Sequence, residues 1–121
     1  IGDLYKTQVY ELARWINRNG ELIPGRILTK APSAELRPGQ TDQDELPPYP
    51  VLDRILAHKL EDRLSAEQII GRGFDPATVH KALRLLRISE YKRKQAPPSL
   101  RLSDTAFGAD RDVPINHGFV E

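Results

Sequence analysis

Taken by themselves, the residues predict a chain that is mostly α-helical with long loops, on three observations. Apolar residues recur at helical spacing, two helix starts carry capping signatures, and no stretch reads as a strand for more than about four residues. The first helix is expected from about Lys6 to Asn19, because Val9, Leu12, Ala13 and Ile16 share one face and Gly20 supplies a C-terminal stop. Ile23 to Thr29 reads as a short apolar connector broken by Pro24-Gly25. A long polar loop follows, and a second helix starts near Pro50 with Leu52, Ile55 and Leu56 on one side. The third begins at Ser65, where Ser65 and Gln68 match a capping box, and ends at Gly71 or Gly73. In the fourth, Asp75 is the N-cap and Pro76 the first helical residue; Val79, Ala82, Leu83 and Leu86 form its apolar face as far as about Glu90. From Pro97-Pro98 the tail is polar and proline-spaced, with Leu100, Leu102, Phe107, Val113 and Ile115 as isolated anchors. Residues 97–121 are expected to lie as an extended arm over another surface.

At 121 residues the chain is one domain or a piece of one. Its 39% hydrophobic residues can make a small core, and 29% charged residues speak for solubility. A formal net charge of +1 gives no global field towards nucleic acid or a membrane. No apolar run approaches the roughly 18 residues a bilayer span needs. The start, Ile1-Gly2-Asp3, is no secretory signal, and the lack of any Met means a processed N-terminus or missing upstream sequence. With no Cys, disulfides, thiolate nucleophiles and cysteine zinc sites are excluded, and a cytoplasmic location is expected. His58, His80 and His117 stand at spacings that form no metal motif.

The stretch from Lys30 to Glu45, continuing through Pro47, Pro48 and Pro50, has almost nothing apolar to bury. A loop of this length inside a compact domain is uncommon and is either functional or disordered. Ser33, Thr41, Asp42, Asp44 and Glu45 supply hydroxyls and carboxylates, which favours an active-site lid over residues 37–50. The acidic cluster could take Mg²⁺ with substrate phosphates, but a solvated, charge-rich mobile loop is the preferred reading for any single residue. Lys6 starts a helix, where a cation opposes the macrodipole and calls for a compensating anion such as a phosphate. Ser33 reads as a loop serine that caps a turn beside Pro32. Tyr91-Lys92-Arg93-Lys94, the one basic run, is expected at the C-terminal end of the fourth helix, where cations suit the dipole. One short run at this net charge is too little for a nucleic-acid surface.

Three segments in order, Gly2-Asp3-Leu4-Tyr5-Lys6-Thr7-Gln8-Val9, Lys30 to Glu45, and Ile88-Ser89-Glu90-Tyr91-Lys92-Arg93-Lys94-Gln95, resemble the C-terminal part of NAD synthetase. That family belongs to the ATP pyrophosphatases, which adenylate a carboxylate and then amidate it. The resemblance implies a larger α/β parent domain of the adenine-nucleotide alpha-hydrolase type, whose parallel sheet lies mostly upstream. It assigns ATP contacts to Lys6 and Ser33, deamido-NAD contacts to Tyr91 and Lys92, and the lid to Thr41, Asp42, Asp44 and Glu45. Mg²⁺ is expected with ligands outside this chain. The family's Ser-Gly-Gly-x-Asp-Ser pyrophosphate loop is absent from these residues, so the chain alone is expected to be inactive. The tail length and the Leu46-Pro47-Pro48-Tyr49-Pro50 spelling resemble glutamine-dependent members, which carry an amidase domain upstream, and a homo-oligomer is expected. The alternatives are a non-catalytic helical interaction module and a part of another ATP pyrophosphatase, such as a GMP or asparagine synthetase.

Overall fold

The structure, a computed structural model, describes residues 1–105. Among them every regular element is helical: α1 (Lys6–Ile16), α2 (Gly25–Thr29), α3 (Tyr49–Leu60), α4 (Ala66–Gly71), α5 (Pro76–Ile88) and α6 (Glu90–Gln95). Single 3₁₀ turns lie at Asn17–Asn19 and Asp42–Asp44.

Helices α3, α4 and α5 pack on one another around Leu52, Ile55, Ala66, Ile69, Val79 and Ala82. Ile55, Ile69 and Val79 are wholly buried, and Leu46, Tyr49, Leu56, Leu64, Ile70, Phe74 and Leu83 surround them. The helix starts are held as their sequence signatures require. Gln68 Oε1 accepts from the Ser65 N–H at 2.8 Å while Ser65 Oγ accepts from the Gln68 N–H at 3.3 Å. The Asp75 carboxylate accepts from the Thr78 N–H at 2.8 Å and its hydroxyl at 2.7 Å, which lowers the carboxyl's pKa.

Helix α1 lies against α3 and buries only Ala13; Val9 and Ile16 are half-buried, and Leu12 and Trp15 are exposed. Apolar packing alone therefore holds α1 weakly. The expected connector at 23–29 contains the short helix α2. Its approach is stitched by the Asn17 side chain, which accepts from Leu22 N–H and Ile23 N–H (3.1 and 2.9 Å) and donates to the Ile23 carbonyl (2.7 Å). Such a side-chain-to-backbone network leaves no periodic apolar trace.

The fourth expected helix does not carry the basic run. It ends at Ile88, where the Ser89 hydroxyl donates to the Leu85 carbonyl at 2.7 Å and the Ser89 backbone leaves the helix at φ −84°, ψ 1°. Glu90 then opens a separate short helix that contains Tyr91 to Lys94. Glu90 is buried and takes the Arg93 guanidinium bidentately, with Arg93 Nε at 3.1 Å. Of the expected arm, residues 97–105 run without regular structure, and the buried Asp3 carboxylate accepts from the backbone N–H groups of Leu102 (2.8 Å) and Ser103 (2.7 Å). Phe107, Val113, Ile115 and His117 lie outside the described residues.

Replacing Ile69 with Ala should cost about 2–5 kcal/mol, through lost apolar contact and the cavity left behind. Leu22→Ala, at a side chain that is 78% exposed, should stay within about 0.5 kcal/mol. Urea unfolding of the two variants checks the contrast.

Candidate functional site

The site is built on the first turns of α1 and α3. At the start of α1 the Tyr5 N–H donates to Gln8 Oε1 at 2.9 Å, and the Thr7 N–H donates to Asp53 Oδ2 at 2.7 Å. The buried Asp53 carboxylate thus satisfies one of the orphan donors of a helix N-terminus from across the α1–α3 contact. Lys6, held between these two bonds, carries its ammonium 5.7 Å from the Tyr10 ring centroid and 5.6 Å from that of Tyr49. The compensation for a cation at this helix end comes partly from aromatic faces, whose quadrupoles attract it.

Opposite Lys6 stands the polar loop. Its base is closed by the Asp42 N–H, which donates to the Pro32 carbonyl at 2.8 Å. Ser33 Oγ accepts from the Glu35 N–H at 3.0 Å, a local turn that leaves the hydroxyl proton able to donate elsewhere. Lys30 and Glu35 pair at 2.6 Å at the exposed rim, raising the lysine's pKa and lowering the glutamate's. Glu35 has φ 55°, in the left-handed region that side chains other than glycine seldom adopt. A cleft of about 280 Å³ results, lined among others by Lys6, Tyr10, Lys30, Ser33, Glu35 and Asp42. Its walls offer ammonium groups, a hydroxyl and aromatic surface, a combination suited to an anion attached to a flat organic group.

Within the acidic stretch, Asp42 and Asp44 have structural partners. Asp44 Oδ2 accepts from the Thr41 N–H at 2.7 Å, capping the 3₁₀ turn, and Asp42 accepts from the Tyr49 hydroxyl. Asp44 and Glu45 face solvent. Among the described residues no three His, Asp or Glu side chains converge as metal ligands. His58 instead meets Asp62 at 2.7 Å and the edge of Phe74.

Lys6, from the first of the three segments, and Ser33 and Asp42, from the second, line one cleft. Tyr91 and Lys92 are not among its lining residues; both are exposed on α6. Arg93 is committed to Glu90. Tyr49 and Pro50, expected within the loop, form the first turn of α3.

The NAD synthase family model matches residues 1–96. The chain belongs to the NAD synthase family. The glutamine-dependent NAD(+) synthetase of Synechocystis sp. is 50% identical over 98% of this chain and 21% of its own length. The enzyme of the same description from Thermotoga maritima is also 50% identical, over 100% of this chain and 21% of its own. The solved structure of glutamine-dependent NAD+ synthetase from Acinetobacter baumannii in complex with adenosine diphosphate is similar at a TM-score of 0.56 and 37% identity, covering 93% of this chain and 19% of that one. This chain thus spans about one fifth of the length of the relatives it matches.

Within this member of the NAD synthase family, three cleft-building residues escape sequence reasoning: Tyr10, Tyr49 and Asp53. A signal was present. Lys6 with Tyr10, and Tyr49 with Asp53, stand four residues apart, the spacing that stacks side chains on one helix face. What the sequence does not contain is the α1–α3 contact that brings the two pairs together.

Burial first, then the hydrogen bond to Asp42, pushes the Tyr49 phenol well above its ordinary value near 10. Because the folded pKa is raised, the stabilisation is fully present below about pH 10 and is lost as pH rises through the folded value. Ultraviolet titration of the wild type minus Tyr49→Phe should show one phenol that ionises only well above pH 10. A difference step at pH 10 itself would contradict the arrangement.

Proposed function

We propose that this chain forms the C-terminal portion of a glutamine-dependent NAD synthetase and supplies one wall of its ATP site together with part of its deamido-NAD site. The observation that carries this is the meeting of Lys6 and Ser33 in one cleft, in a chain that belongs to the NAD synthase family. A relative of the same family is known in complex with adenosine diphosphate. The parent domain, in this proposal, is α/β with a parallel sheet, and the helices described above form part of its covering layer.

The reaction proposed is the amidation of deamido-NAD. A carboxylate is a poor electrophile, so one of its oxygens first attacks the α-phosphorus of ATP. The α–β bridging bond breaks, and acyl-adenylate and pyrophosphate form. Ammonia, released from glutamine by an upstream amidase domain or taken directly, then attacks the acyl carbon, loses a proton, and expels AMP. Positioning and charge stabilisation account for most of the catalysis in such a step. Lys6 offsets the phosphate charge, and Ser33 donates a directed hydrogen bond to a phosphate oxygen. Residues 37–48, with Thr41, Asp42, Asp44 and Glu45, cover the nucleotide and keep water from the acyl-adenylate. Tyr91 and Lys92 meet the dinucleotide, Lys92 through charge. Mg²⁺ arrives with the nucleotide and is held by groups outside this chain. The assembled enzyme is a cytoplasmic homo-oligomer; no helix among the described residues is long and apolar enough to cross a membrane.

In the complete synthetase, Lys6→Ala should remove roughly 2–4 kcal/mol of transition-state stabilisation, read as a fall in kcat/KM for ATP. Unchanged kinetics would end the phosphate role of Lys6.

Lys92→Ala should raise the KM for deamido-NAD about tenfold, the loss expected for one charge-assisted contact, with melting temperature and ATP affinity nearly unchanged. Lys94→Ala makes the same charge change two residues along and serves as the comparison. Equal, weak effects at both positions would reduce the run to a solvated helix.

A further inference from the structure

Tyr49 touches both signs of charge in the cleft. Its ring lies beneath the Lys6 ammonium, 5.6 Å from centroid to nitrogen, while its hydroxyl donates to the Asp42 carboxylate. Lys6 and Asp42 line the same cleft, yet among the described residues no ion pair joins them. A cleft that is to take a polyphosphate has two reasons to restrain that carboxylate. Left unbonded, it repels the incoming phosphates, and it offers Lys6 an intramolecular anion in competition with them.

We propose that Tyr49 is a positioning residue for nucleotide binding, which holds Asp42 away from Lys6 so that the ammonium stays available to phosphate; this rests on the ATP reading of the cleft. The hydroxyl occupies one carboxylate lobe with a charge-assisted bond, and such bonds are among the stronger kinds available to a side chain. The ring keeps the ammonium in place without neutralising it, since an aromatic face attracts a cation and carries no net charge. The phenol is anchored for this task. Tyr49 packs against the aliphatic core, and Asp53, one turn on, fixes the start of α1 through the Thr7 N–H at 2.7 Å. Asp42 is equally fixed: its carbonyl accepts from Leu46 N–H at 2.8 Å, and its N–H donates to Pro32 at 2.8 Å. A phenol whose pKa is raised stays protonated, hence a donor, throughout the neutral range.

The test is a double-mutant cycle in the complete synthetase, read as the KM for ATP and as direct binding of ADP by calorimetry. Tyr49→Phe keeps the ring and the core packing while removing the hydroxyl. It should raise the ATP KM about fivefold or more, with kcat changed less than about twofold. In the Asp42→Asn background the same Tyr49→Phe change should move KM less than about twofold, because no carboxylate remains to restrain. An equal rise in both backgrounds would overturn the proposal, since the hydroxyl would then act on something other than Asp42. A rise in the ATP KM for Asp42→Asn alone as large as that for Tyr49→Phe would also overturn it, by making that carboxylate a required ligand rather than a group to be restrained. Lys6→Ala separates the two levels of inference. If it weakens ATP use while Tyr49→Phe does not, Tyr49 has no positioning role and the ATP reading stands. If Lys6→Ala leaves ATP use untouched, both fail together.

Discussion

The hydrogen bond from the Thr7 N–H to the Asp53 carboxylate is the contact on which the site depends. Helix α1 buries one small side chain, Ala13, and carries Leu12 and Trp15 in solvent, so hydrophobic contact gives it little purchase on the core. A buried carboxylate costs free energy unless its lone pairs are used, and the helix N-terminus offers donors already orphaned by helix geometry. Each need meets the other, and the register of α1 against α3 follows. Lys6 precedes the bonded N–H by one residue, which ties the position of the ammonium directly to that bond. Helix α1 is thus placed largely by polar contact, while α3, α4 and α5 are placed by aliphatic packing.

The structure divides into two regimes. Around Ile55, Ile69 and Val79 the side chains are fully enclosed, and opening this region exposes the whole apolar core. Between Lys30 and Pro48 the backbone is organised by short-range bonds instead: Glu35 to Ser33, Leu36 to Gln40, Asp42 to Pro32 and Thr41 to Asp44. Each spans ten residues or fewer, and the first two and the last lie in solvent, so those can open without disturbing the core. The site lies on the boundary between the regimes. Tyr49 belongs to the core by its ring and to the loop by its hydroxyl.

What could be read from the sequence follows the same division. The helices with apolar periodicity or capping chemistry, those begun by Ser65 and Asp75 above all, were legible because their signals are local. Helix α2 was not, since Asn17 holds its approach with side-chain bonds that carry no periodicity. The break at Ser89 is not legible in the sequence because serine is tolerated inside helices; it is the Ser89 backbone that ends α5. Lys6, Ser33 and the acidic loop stood out by unusual placement and by resemblance. Tyr49 and Asp53 did not, because each looks like an ordinary helix residue until α1 is laid across them. The likeness to the NAD synthase family identified the chain's relatives; the partnership of Asp42 with Tyr49 had to come from coordinates.

The clasp between Asp3 and the backbone of Leu102 and Ser103 has a bearing on the order of biosynthesis. A ribosome delivers Asp3 about a hundred residues before the amides that satisfy it. Until they emerge, the carboxylate lacks these two bonds. The aliphatic core, made of residues 52 to 82, is complete in the nascent chain well before then. Domains generally fold as they are released, and closing so long a span adds entropy cost only slowly with length. The clasp can therefore form only after every residue of that core has been made. A chain cut before Leu102 would lose both bonds to Asp3 while keeping every residue of that core.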